Sequence, residues 1–257
     1  MPPSTDSLGL PPFEPRFPWW NGDLQTLANR FRRPPSLSPH RSERLPLKLD
    51  DGDTLLASLD LPEKPVPRRP LVVLVHGLTG SEDSHYMLSQ ARLLLDQGFH
   101  VVRLNLRGAG PSRATCGGQY YAGRSQDFRA ALRLIPAELK KSGVAAVGYS
   151  LGGAMLLKYL GEEGTAAPLV AAASISAPID LSAVCSNMLR PRNSVYHFYL
   201  LRQMKREATA EGAALTREER SAIMNAMTIW DYDEVFIAPR HRFAGAEDYY
   251  ERCKPLR

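Results

Sequence analysis

The run Leu71-Val72-Val73-Leu74-Val75 contains no polar residue. Successive strand residues face opposite sides of a sheet, so such a strand must be covered on both faces. Helices packed above and below a parallel sheet meet that demand, and the following residues keep to that pattern. Ser84 to Gln97 has helical spacing, with Met87, Leu88, Ala91, Leu94 and Leu95 on one side and Gly98 as its stop. His100 to Leu106 reads as a strand, Ser125 to Leu139 as a helix and Val144 to Gly148 as a strand. Gly152 to Leu160 then predicts a helix, and Leu169 to Ser176 another strand. This alternation defines an α/β fold, a mostly parallel sheet with helices on both faces.

The flanks read differently. Of the 21 prolines, 14 precede residue 71, which excludes a mostly helical or central-strand start. Residues 1–43 are expected to form an extended arm. Phe17-Pro18-Trp19-Trp20 would anchor it by burial or by contact with another subunit, and Asp23 would cap a short helix to Arg30. Leu45 to Leu49 and Thr54 to Leu59 alternate around Asp51-Gly52-Asp53, the pattern of a β-hairpin. The α/β core spans 44–180. Residues 181–229 have mixed-polarity helical spacing and read as a cap over it, with His197, Tyr196, Phe198 and Tyr199 expected in the cap's interior. Residues 230–257 begin a return to the core and contain no convincing strand.

Composition narrows the function classes. Hydrophobic residues are 44% and charged residues 23% of 257, which excludes a disordered or fibrous chain. The net charge of +5 is spread evenly, so no segment resembles a nucleic-acid-binding arm. Cys116, Cys185 and Cys253 fit neither a disulfide framework nor a metal-ligand spacing. No apolar run is long enough to span a bilayer, and the first residues lack the pattern of a signal peptide. The expectation is a soluble, cytoplasmic protein without a metal site; a peripheral membrane contact through cap aromatics stays open.

Chemistry-bearing residues gather at strand ends. Gly148-Tyr149-Ser150-Leu151-Gly152-Gly153 joins an apolar strand to a helix and matches the G-x-S-x-G nucleophile elbow. Such a turn holds its serine at a helix N-terminus, and side chains at Gly148 or Gly152 would collide with neighbouring backbone. His76-Gly77-Leu78-Thr79-Gly80 follows the first buried strand. A serine nucleophile needs two N–H donors for its oxyanion; Leu151 and Leu78 are the candidates, with Gly77 letting the loop turn inward. His76 is expected to orient the loop and not to act as a base. Arg107, in Leu106-Arg107-Gly108, either holds its loop, the favoured role, or contacts a substrate carboxylate or phosphate. Neither Gly108-Ala109-Gly110 nor Gly77-Leu78-Thr79-Gly80-Ser81 has the spacing of a nucleotide-binding loop.

These motifs resemble the α/β-hydrolase superfamily. Trp20-Asn21-Gly22-Asp23-Leu24-Gln25-Thr26-Leu27, His76 to Ser81, Trp230 to Glu234 and Ala246 to Tyr250 resemble its YheT-like branch of predicted esterases. The resemblance implies hydrolysis of short-chain or lipid-like carboxylic esters through Ser150, an acid and a histidine, with no cofactor. In that fold the acid and histidine follow strands later than Leu169–Ser176, so both are expected beyond residue 257, the chain matching the family without its last two strands. A replacement pair, Asp231 or Asp233 with His241, has the right chain order, but His241 between two arginines reads more simply as a solvated residue. Amide and thioester hydrolysis stay open; a serine in place of a carboxylate at 150 argues against dehalogenase and epoxide chemistry. The alternative is a non-catalytic scaffold serving as a binding module.

Overall fold

The computed structural model of the protein describes residues 14–31 and 33–255, so most of the proline-rich start of the arm lies outside the described residues. Strands β1 (Arg41–Lys48) and β2 (Thr54–Leu61) form the hairpin, with Leu47 opposite Leu55. Strands β3 (Leu71–Val75), β4 (Val101–Leu104), β5 (Val144–Tyr149) and β6 (Ala171–Ile175) complete one sheet in the order β1-β2-β4-β3-β5-β6. β4, β3, β5 and β6 run parallel, and β2 joins β4 antiparallel. The apolar run of β3 thus sits inside the sheet with all five residues buried.

Its residues serve two cores. Val72 and Leu74 pack with Met87, Ala91 and Leu95 of α2 (His85–Asp96) on one face. Leu71, Val73 and Val75 belong to the larger cluster on the other, with Phe128 of α3 (Ser125–Leu134) and Met155 and Tyr159 of α4 (Leu151–Glu163). Burying each such side chain contributes about 1.5–3 kcal/mol.

Several elements differ from expectation for local reasons. α3 ends at Leu134 and not at 139, because Pro136 brings no N–H to continue the ladder. β4 stops at Leu104: the Leu106 N–H leaves the sheet for His76, and the Asn105 amide reaches back to the Leu56 carbonyl. The first helix, α1 (Gly22–Phe31), is capped by Asn21, which accepts from the Leu24 N–H at 2.9 Å; Asp23 sits in its first turn. Phe17 and Trp20 of the aromatic anchor are not buried within this chain, which leaves the other expected role, contact with another subunit. Phe17 and Trp20 pack edge to face at 4.9 Å while remaining 76% and 62% exposed.

Past β6, α5 (Leu181–Met188), α6 (Ser194–Ala208) and α7 (Arg217–Asn225) cover the C-terminal ends of the strands. His197 lies inside, accepting from the Ile229 N–H at 3.1 Å. Phe198 and Tyr199, expected in the cap's interior, face outward because α6 turns Leu201, Met204 and Ala208 to the core instead. α8 (Ile229–Tyr232) continues through a π-helical stretch, Asp233–Ile237, into α9 (Ala238–Arg240), and α10 (Ala246–Cys253) packs against α5. No helix among the described residues is long and apolar enough to cross a membrane.

The antiparallel join of β2 and β4 carries a buried ion pair. Arg103 Nε and Nη2 donate to the two oxygens of Asp60 at 2.6 and 3.0 Å, and Nη1 donates to the Glu82 carbonyl. Removing one partner strands the other charge. Arg103→Met should therefore destabilise by about 3–5 kcal/mol in urea unfolding, and adding Asp60→Leu should recover much of that loss.

Candidate active site

The register that sets Val75 beside Gly148 brings the C-terminal ends of β3 and β5 together, and with them the two loops singled out by sequence. Ser150 occupies the turn between β5 and α4 with φ 49° and ψ −121°, a backbone region costly for any side chain. Its N–H donates to the Ile175 carbonyl of β6 at 2.8 Å, which holds the turn, and its side chain is exposed. The steric expectation for the glycines is met in numbers. A Cβ on Gly152 would lie 2.3 Å from the His76 carbonyl oxygen, and one on Gly148 2.6 Å from the Gly152 oxygen. A Cβ on Gly77 would sit 2.9 Å from Ser150 Cβ.

Hydrogen bonding in the 76–80 loop leaves one donor over. The Gly77 N–H donates to Tyr86 Oη at 2.9 Å, Thr79 N–H to Tyr120 Oη at 2.8 Å and Gly80 N–H to the Gly77 carbonyl at 3.1 Å. The Leu78 N–H has no acceptor among the described residues, nor has that of Leu151, in the first turn of α4 where no intrahelical partner exists. His76 is fully buried. Its Nδ1–H donates to the Gly77 carbonyl at 2.8 Å and its Nε2 accepts from the Leu106 N–H at 3.0 Å, which defines the tautomer. Burial pushes its pKa down to about 4, so it is a neutral strut between the ends of β3 and β4.

Ser150, Leu78 and Leu151 open on one cavity of about 330 Å³ between the sheet and the cap. Its walls are chiefly apolar, with Val184, Met188, Leu200, Met204 and Ile229 among them. Two carboxyl groups reach it and no Lys, Arg or His lines it. Glu207 of α6 accepts from Tyr120 Oη at 2.7 Å, so the chain Thr79–Tyr120–Glu207 ties the cap to the loop after β3. Asp233 accepts from Tyr250 Oη at 2.6 Å, carried inward by the π-helical stretch. Burial raises both carboxyls to about 7. Glu207 lies outside any motif, and Asp233 reads in sequence only as a partner for His241; the folding of the cap over the sheet brings both to the cavity of Ser150. Among the described residues no group of three or more His, Cys, Asp or Glu side chains is gathered to hold a metal ion.

Other residues singled out by sequence lie elsewhere. Arg107 is buried away from the cavity, paired bidentately with Asp127 at 2.7 and 2.8 Å and with Asp51 and Asp53, and so holds its loop. The pair built on His241 is not assembled. Thr228 caps α8 in a capping box completed by Asp231, Asp233 accepts from Tyr250, and His241 hydrogen-bonds neither acid. Nor is His241 solvated, as its arginine neighbours suggested. It stacks on Tyr121 at 4.4 Å with Nε2 buried and unpartnered among the described residues. Burial, with Arg124 and Arg240 nearby, pushes its pKa down to about 4.

A strained serine elbow beside an N–H-bearing loop, at the C-terminal edge of a parallel sheet under a helical cap, defines a class, and residues 70–239 match the family model of the alpha/beta hydrolase fold. The chain belongs to that family, in its YheT-like branch. It is 32% identical to YheT of Escherichia coli K12 over 92% of this chain and 70% of that protein. It is 25% identical to human phospholipase ABHD3 over 92% of this chain and 59% of that one. It is also 41% identical to the medium-chain fatty acid ethyl ester synthase/esterase 2 of Saccharomyces cerevisiae, over 44% of this chain and 25% of the yeast protein. The chain thus spans 70% of the length of YheT and 59% of that of human ABHD3.

Two outcomes follow from this geometry. Gly152→Ala presses a methyl group into rigid backbone, and should lower stability by about 1–3 kcal/mol, read as the shift in thermal midpoint. The second concerns pH. Glu207 and Asp233 bind protons more tightly when folded, so their contribution is complete below their ordinary values of 4.5 and 3.8 and is lost as pH rises to about 7. Glu207→Gln or Asp233→Asn should therefore flatten the fall in thermal midpoint between pH 4 and pH 7. The variants should gain on the parent at pH 8 by about 2–4 °C for each kcal/mol recovered.

Proposed function

We propose that the protein hydrolyses carboxylic esters with Ser150 as the nucleophile. The observation that carries this reading is the convergence, on one apolar cavity, of an exposed serine in a strained elbow with two unengaged N–H groups. Ser150 Oγ attacks the ester carbonyl, and the oxygen that gains charge accepts from the Leu78 and Leu151 N–H groups. The N-terminus of α4 adds its partial positive charge there. Collapse of the tetrahedral species expels the alcohol and leaves an acyl group on Ser150, which water then releases as the acid. Activation of Oγ needs a histidine held by an acid. None of the described residues is assigned either role.

The cavity supports the substrate class. Its apolar walls favour an acyl chain, and its two carboxyls without a cation disfavour a substrate carrying negative charge. Relatives named for phospholipase and fatty acid ethyl ester chemistry agree with an acyl ester.

A fluorophosphonate probe tests the nucleophile. The probe should label the protein at Ser150, and Ser150→Ala should abolish labelling with folding unchanged by circular dichroism. Labelling at another residue, or labelling that survives in Ser150→Ala, overturns the assignment. In an ester series, p-nitrophenyl butyrate should be cleaved at least about tenfold faster than the p-nitrophenyl hemisuccinate of similar size, a penalty of about 1.4 kcal/mol for the extra carboxylate.

A further inference from the structure

The cap carries a second face that the cavity does not use. Along α6, Val195, Phe198, Tyr199, Arg202 and Arg206 follow helical spacing on the solvent side, opposite the buried Leu201, Met204 and Ala208. Val195 is 76% exposed and Phe198 69%, and on the adjoining α7 and its exit Met224 is 58% and Met227 77% exposed. Large exposed apolar side chains grouped in this way are unusual on a surface with no partner.

Between α6 and α7 the face dips into a groove lined by Phe198, Leu201, Met224, Arg202, Lys205 and Arg206, with Thr209 at its edge. No Asp or Glu lines it. Arg202 and Arg206 have no acidic partner among the described residues, and Lys205 Nζ donates only to the Met224 carbonyl, at 2.8 Å. The groove is therefore an apolar floor ringed by three uncompensated cations. Toward the start of α6, Asp23 accepts from Tyr196 Oη and Arg192, which brings the exposed Phe17 and Trp20 to the same end of the helix.

We propose that this outer face of the cap docks on an anionic lipid bilayer. Phe198, Val195, Met224 and Met227 enter the level of the headgroups and upper acyl chains, and Arg202, Lys205 and Arg206 meet lipid phosphates. Charge complementarity selects this occupant. An apolar protein partner gives no reason for three unpaired cations around the groove, and a soluble polyanion gives none for four exposed apolar side chains. A bilayer with negative headgroups uses both, the arrangement of helices that lie in the membrane interface. The docked face is the reverse of the one that lines the cavity, so α6 would stand between the lipid and Ser150. The proposal does not depend on the ester-hydrolase reading.

Sedimentation of the full chain with vesicles tests it. Phosphatidylcholine vesicles containing 30% phosphatidylglycerol should bind the protein at low salt, and pure phosphatidylcholine should bind it at least about tenfold more weakly. Arg202→Glu with Arg206→Glu should lower binding to the anionic vesicles by about tenfold or more, and Phe198→Ser with Met224→Ser should also weaken it. A Phe198→Trp variant should be quenched by lipids brominated in the upper acyl chain more than the parent is. All the altered side chains are exposed, and circular dichroism checks that the variants fold. Equal binding to both vesicle types overturns the proposal, as does the absence of binding or of extra quenching at position 198. Full retention of binding by the Phe198→Ser, Met224→Ser variant, with heparin displacing the vesicles, would identify a polyanion site in its place.

Discussion

The close contact between two pieces of backbone governs this molecule. The start of α4 lies so near the end of β3 that a single methyl group on Gly152 would come within 2.3 Å of the His76 carbonyl. Only at that separation do an exposed serine and two spare N–H groups share one space. Much of the rest works to hold the approach. β3 and β5 are adjacent and parallel, His76 braces the loop against Leu106, and β6 takes the Ser150 N–H. The strain in the elbow persists because the sheet over-determines it.

A second tier of contacts couples the cap to that centre. Tyr120 stands under the loop after β3, accepts from the Thr79 N–H and donates a hydrogen bond to Glu207 on α6, so the loop's backbone and the cap helix are joined through one hydroxyl. Asp233 and Tyr250 make a similar buried pair further along the same cavity. Carboxyls in such surroundings resist ionisation, because burial removes water from the charged form and no cation replaces it. The cavity is consequently a place where charge is discouraged. The cap's outer face has the opposite character, with Arg202 and Arg206 answered by no carboxylate among the described residues.

How much of this was legible in the sequence depended on the range of the interactions. Strand β3, the hairpin, the elbow and the loop after β3 could all be read, because each is a local pattern whose cause lies within a few residues. Phe198 and His241 lie elsewhere than expected, and Phe17 and Trp20 stay exposed on this chain, for one reason: burial of an aromatic or imidazole ring depends on what folds against it. Nothing near His241 in sequence announces Tyr121, and nothing near Phe198 announces that α6 turns its other side to the core. Glu207 has no local signature, and Asp233, which sequence offered as a partner for His241, is instead carried to Tyr250 and the cavity by a π-helical stretch that no motif encodes.

By itself, the sequence determined the class of fold, the identity of the strained serine and the loop that faces it. Period-two and period-3.6 burial, and the small residues a tight turn requires, are written in consecutive residues. Tertiary structure alone decided which N–H groups stay unengaged, which carboxyls reach the cavity and which side of α6 meets solvent. Those outcomes depend on segments tens of residues apart meeting at distances of about 3 Å, and no local pattern encodes such a meeting.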